Sequence, residues 1–231
     1  MGDEAVLQQI LKTLEIPDNI RVRLVKSKRA PTHSIIVTCR PTQSGQSGVE
    51  YTVEYRKSLS MNLLRHELCH IRLHLMGLPV VQVEGGSQIS LSNQVLNTLH
   101  EDYYANIMMH SRFPHSFASL IMRGLSRDRN HHGLHIHDEV EDDMLAWLLQ
   151  VYVLKLAIFD VLDYRGEAEE IREEIDHLRE EHFELHRYLN TIVDCMKRLP
   201  PLDKGFRPFT EEEKGSIGKI IETINSVKVA P

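Results

Sequence analysis

Apolar positions in the first stretch of the chain fall at Val6, Leu7, Ile10, Leu11 and Leu14, one stripe of a helix over residues 3–15 that Pro17 stops. The period then shortens to two. Ile20–Val25 alternates, Ser34–Thr38 is rich in β-branched residues, and Val49, Tyr51, Val53 and Tyr55 share one face of Val49–Tyr55. These predict three strands, the last two joined by a loop over 41–48 with the composition of a turn. Helical spacing returns at a cap on Ser58 or Ser60 and runs to Met76, with Gly77 and Pro79 as stop signals. Residues 80–93 read as an irregular connection. A second helix is predicted over Asn93–His110, and a shorter one over 115–124.

Beyond a stretch without apolar period at 126–137, the rhythm changes again. Val140, Met144, Trp147, Val151, Leu154, Ile158 and Val161 follow a 4-3 spacing, and Ile171, Ile175, Leu178, His182, Leu185, Leu189, Ile192 and Met196 repeat it. Two heptad seams with a turn at Tyr164-Arg165-Gly166 predict a long antiparallel helical hairpin. Pro200-Pro201 ends its second arm, and Ile217, Ile220, Ile221 and Ile224 mark a last helix at about 210–226. The expected organisation is a first domain at 1–125, a histidine-rich linker at 126–138, and the hairpin plus terminal helix at 139–231.

Composition narrows the classes. With 42% hydrophobic and 26% charged residues, the 231-residue chain reads as an ordinary globular protein. A net charge of −6 argues against a nucleic-acid surface; the basic stretch Arg21–Arg29 alternates with apolar residues, as a strand with one solvated face does. No run of about 18 apolar residues is evident, so no membrane span is expected. The acidic start lacks the order of a signal peptide, and three cysteines at unrelated spacings do not form a disulfide framework. The expected location is cytoplasmic.

The chemistry is concentrated in His66-Glu67-Leu68-Cys69-His70, an HExxH motif inside the predicted 58–76 helix. Residues four apart lie on one helix face, so His66 and His70 offer two imidazoles to one ion. Glu67 is turned by about 100°, away from ligation and toward a water on that ion. One Zn²⁺ is the expected cofactor, with a vacancy for water once a third protein ligand is found. His74 lies about 12 Å along the axis from His66, too far to share the ion. The next helix offers His100, Glu101 and Asp102. Glu101 is the choice, framed by Leu96, Leu99, Tyr103 and Ala105; His100 and Asp102 stay open as alternatives, since neighbours on a helix differ by only about 100°. The fold class is therefore α+β: a small three-stranded sheet packed on the HExxH helix and a second ligand helix, followed by the long C-terminal helical hairpin.

The HExxH motif with an acid on the following helix resembles the gluzincin branch of zinc metallopeptidases. The run Glu101-Asp102-Tyr103-Tyr104-Ala105-Asn106-Ile107-Met108-Met109 is similar to a segment of the ImmA/IrrE-like peptidases and minigluzincins. The likeness covers about residues 20–112. Two positions depart from it: Arg72 where such helices carry an apolar residue, and Ala105 where many gluzincins place an acid. The resemblance implies a zinc-dependent peptidase with ligands His66, His70 and Glu101 and with Glu67 as general base. Tyr103, Tyr104, His110 and His115 are the candidate oxyanion donors.

The partners expected are a peptide or protein substrate, held in extended form against Val49–Tyr55 as a sheet edge, and a second copy or another protein at the hairpin. His131, His132, His135 and His137 with Asp138 read as a solvated linker, with a second ion or a lid as the sharper alternative. The acids Glu139, Glu141, Asp142 and Asp143 suit the first turn of the long helix, and His182 a packing role at its seam. A different class of function stays open, a metal-binding regulatory or interaction protein on the same scaffold that does not cleave.

Overall fold

The computed structural model describes residues 3–28, 36–41, 49–56, 59–80, 90–122 and 140–227. Helix α1 (Asp3–Thr13) leads into strands β1 (Arg21–Lys26), β2 (Ile36–Pro41) and β3 (Val49–Tyr55). β1 pairs parallel with β3 and β2 pairs antiparallel with it, in the order β1-β3-β2. β3 is thus the inner strand. It has a partner on both sides and presents no edge to an extended peptide, so the sheet edges are β1 and β2. On β3, Tyr51 and Val53 carry the buried face.

Helix α2 (Met61–Leu75) starts at Ser60, whose hydroxyl accepts the Leu63 N–H. Leu64, Leu68, Ile71 and Leu73 are fully buried and seat it, each contributing about 1.5–3 kcal/mol by leaving water. Gly77 ends it in the left-handed region, with φ at 80°, where a side chain would be strained. Helix α3 (Leu91–Arg112) runs antiparallel to α2. Asp142, from the distant acidic run, accepts the Leu91 and Ser92 N–H groups and the Ser92 hydroxyl, and so satisfies donors that α3's first turn leaves open. Pro114 then starts the short helix α4 (Pro114–Phe117), which continues into a π-helical turn, Ala118–Met122.

The helical half differs from a two-armed hairpin. Helix α5 (Asp142–Val161) carries a π-helical turn at Leu149–Val153 and is apolar on several sides. By length and composition it could cross a membrane, but 61% of its apolar window is buried within the protein. The expected second arm is broken in two: α6 (Arg165–Glu181) and α7 (Phe183–Lys197) meet at His182, whose φ of −133° and ψ of 57° leave the helical region. Arg172 of α6 and Lys197 of α7 both bind Asp160 of α5, the latter at 2.7 Å. An unbroken helix would hold positions 172 and 197 about 37 Å apart. The heptad rhythm continues through His182, which is why the corner is hidden in the pattern: each half packs on α5 with the same spacing.

Helix α8 (Glu211–Ser226) closes the fold with a capping box between Thr210 and Glu213. The segment before it is tied to α2 and α3: Phe209 N–H donates to Met76 O at 2.9 Å and Tyr104 hydroxyl to Pro200 O at 2.7 Å. One contiguous apolar core extends from Leu7 through α3 and α5 to Ile224. The histidine-rich stretch at 126–137 and the loop at 42–48 lie outside the described residues.

Candidate metal centre

The middle of α2 places His66 and His70, one turn apart, on one face, and α3 brings Asp102 to that face. His66 Nε2 lies 3.3 Å from Asp102 Oδ1, His70 Nε2 lies 3.2 Å from the same oxygen, and the two Nε2 atoms are 3.2 Å apart. The rings stand edge to face at 80°, so both nitrogens converge on one point. A tetrahedral zinc ion with bonds of about 2.0–2.1 Å sets its donor atoms about 3.3–3.4 Å apart. Two imidazoles and a carboxylate with these separations could hold a metal ion, and all three are partly open to solvent.

The field around the trio is consistent. Burial alone would raise the Asp102 carboxyl, but the two imidazoles facing it outweigh burial and hold it well below the usual carboxylate range. Burial opposes a proton on His70, while Asp102 outweighs that and keeps the imidazole above its ordinary value. Glu67 lies within the reach of His66, His70 and Asp102, and burial raises its carboxyl above the usual range. Cys69, beside it, is buried with a thiol pushed up by desolvation and is no ligand.

Glu101, the ligand expected from the sequence, is turned elsewhere. Its carboxylate meets His74 Nε2 at 3.1 Å, one turn beyond His70. His100 is also turned away: it is buried, donates Nε2–H to Pro79 O at 2.9 Å, and burial lowers its pKa, which suits a neutral packing residue. The third position at the trio therefore falls to Asp102, the remaining candidate of the three. α3 is buried nearly all round, from Val95 and Leu96 to Met108 and Met109, so an apolar frame did not distinguish Glu101 from Asp102.

The candidate oxyanion donors are dispersed. Tyr104 gives its hydroxyl to Pro200 O. Tyr103 is buried against the Tyr104 ring, and desolvation raises its phenol to about 12. His110 sits beside Tyr164, with Nε2 3.1 Å from the hydroxyl and the ring edge-on to Phe117. His115 is exposed on α4. None of these four contacts the trio in the described residues. Arg72, the departure at the back of α2, donates to Phe206 O at 3.2 Å and lies 3.9 Å from Glu15. The polar side chain there is a tie between α2 and the chain that precedes α8.

Compared with family models, curated proteins and solved structures, the chain matches none.

Proposed function

We propose that this protein is a zinc metallopeptidase whose ion is held by His66, His70 and Asp102, with Glu67 as the general base. The observation that carries this reading is the triangle of two Nε2 atoms and one carboxylate oxygen at 3.2–3.3 Å, with Glu67 next to a ligand on the same helix. Zinc in such a set supplies Lewis acidity and brings the pKa of a water on it to about 7. The chain's own residues do the rest. His66 and His70 present lone pairs from adjacent turns, Asp102 adds the negative charge, and the helix pair α2–α3 fixes the distance between them. Glu67, on the same helix next to His66, would take a proton from the attacking water and return it to the leaving amine.

The test is Glu67→Gln. Zinc should stay bound at one ion per chain while cleavage of a quenched-fluorescent peptide library falls by at least about a hundredfold, the low end of general-base effects. Cleavage unchanged by the substitution removes Glu67 from the reaction.

One observation favours the second reading, a metal-binding interaction protein that does not cleave: Tyr104 and His110 are engaged with Pro200 and Tyr164, and neither Tyr103 nor His115 contacts the trio among the described residues. Under that reading the wild-type protein binds zinc with the same ligands and the library stays intact.

A further inference from the structure

The described residues hold a groove of about 1100 Å³ between α1 and β1, on a different part of the molecule from the metal trio. Its floor is apolar, formed by the buried Leu11, Ile16 and Val22. Glu15 lines it and contacts Arg72, which is turned about 200° from His70 around α2, so the groove lies behind the ligand-bearing face.

Two features of this groove point to the same kind of occupant. The first is the backbone of β1, an outer strand that pairs only with β3 among the described residues. Ser27 N–H donates to Tyr55 O at 2.8 Å, toward β3. Alternation along a strand then turns the N–H and C=O groups of Val22, Leu24 and Lys26 outward, where an added strand would bond them. The second is charge. Three acids line the groove: Glu15, Asp18 and Glu50. Glu15 is held by Arg112 at 3.1 Å with Arg72 close by, and Glu50 by Arg23 at 3.2 Å. The lining holds as many bases as acids, but Glu50 is paired with Arg23 and Glu15 with arginines outside the groove, which leaves Lys12 and Arg21, without an acidic partner among the described residues, facing Asp18 alone, in a chain whose net charge is −6. Exposed Lys26 and Lys28 prolong the basic surface along the strand.

We propose that the α1–β1 groove is a docking site for an extended, acidic peptide segment of a partner protein, which adds as a strand to the outer edge of β1 with its carboxylates against Lys12 and Arg21. Main-chain pairing supplies the hold and the basic rim supplies the sign of the charge. This site stands apart from the metal trio and is independent of whether the protein cleaves.

The test uses the full chain and a fluorescent ten-residue peptide of alternating Glu and Val, followed by anisotropy. Binding is expected at low salt and should weaken at about 0.5 M salt, where the Debye length is only a few ångströms. The exposed pair Lys12→Glu and Arg21→Glu should weaken it at least about tenfold, with the fold checked by circular dichroism. The same peptide N-methylated at every second amide, so that it cannot pair with a strand, should not bind. Equal binding of a Lys-Val peptide, or indifference to the double substitution, overturns the acidic preference. Undiminished binding of the N-methylated peptide overturns strand addition. Concentration-dependent self-association that the double substitution abolishes would show the edge is taken by a second copy, and would also overturn the proposal.

Discussion

Glu101 and His74 meet at 3.1 Å, one helical turn away from the point where Asp102 meets His66 and His70. The two adjacent acids of α3 are thus divided between two partners on α2, the longer side chain reaching the farther histidine. This arrangement separates the His74–Glu101 contact from the candidate metal cluster within a single turn, and it makes the two acids unequal in any experiment that reads metal.

Asp102→Asn is expected to weaken zinc binding by more than about a hundredfold, beyond the 10–100-fold typical of groups that only orient a ligand. Glu101→Gln should stay within about tenfold of the wild type, because it loses only the His74 pair, itself one-third exposed on the histidine side. A competitive zinc titration of the two variants decides between them. The reverse ranking would return Glu101 to the ligand set.

Much of this was legible in the sequence. The HExxH spacing on a capped helix identifies His66 and His70, and the period of two places β3 at Val49–Tyr55. What the pattern did not supply was the roll of α3 about its axis. A helix buried on most sides has no single apolar stripe, and a rotation of about 100° exchanges Glu101 for Asp102. A signal was nonetheless present: His70 and His74 on one face of α2 call for two acids opposite, and Glu101-Asp102 is such a pair. The corner at His182 was hidden for a different reason. Heptads report which face is apolar, and a helix can reverse direction between two heptads without any break in that count.

The corner can be measured. Spin labels placed at positions 172 and 197 should report a distance less than half of the about 37 Å that an unbroken helix between them requires. Both native side chains converge on Asp160, so the labels start from neighbouring backbone positions. A distance distribution centred near the longer value would restore the two-armed hairpin.

Arg72 should act as a structural tie with no effect on the ion. Replacing it with Met keeps the aliphatic bulk but leaves Phe206 O without its charged donor, and should cost about 1.5–3 kcal/mol in urea denaturation. Glu15→Gln should cost under about 1 kcal/mol, since that carboxylate is more than half exposed and its ion pairs are screened. Zinc affinity should be unchanged in both. A loss of zinc in Arg72→Met would mean that the back of α2 controls the ligand face.

The last helix should make stability fall at acid pH in a way that one residue controls. Glu213 accepts two hydrogen bonds from Arg207, at 2.8 and 2.9 Å, and closes the capping box through the Thr210 N–H at 2.8 Å. Arg207 first, then the Thr210 N–H, hold its carboxyl down to about 2, below the ordinary 4.5. A carboxyl depressed in the folded state stabilises the fold fully above its unfolded value, and that contribution is lost as pH falls from there through the folded value. Denaturation midpoints of the wild type should therefore decline between about pH 4.5 and pH 2, and Glu213→Gln should show a shallower decline over that window. The gap between the two proteins should be widest above about pH 5 and close near pH 2, because protonated Glu213 resembles the amide in charge. Thr210→Ala should cost about 1 kcal/mol at neutral pH by opening the other half of the box. A gap between wild type and Glu213→Gln that is constant across the window would show that the Arg207 pair contributes nothing to folding.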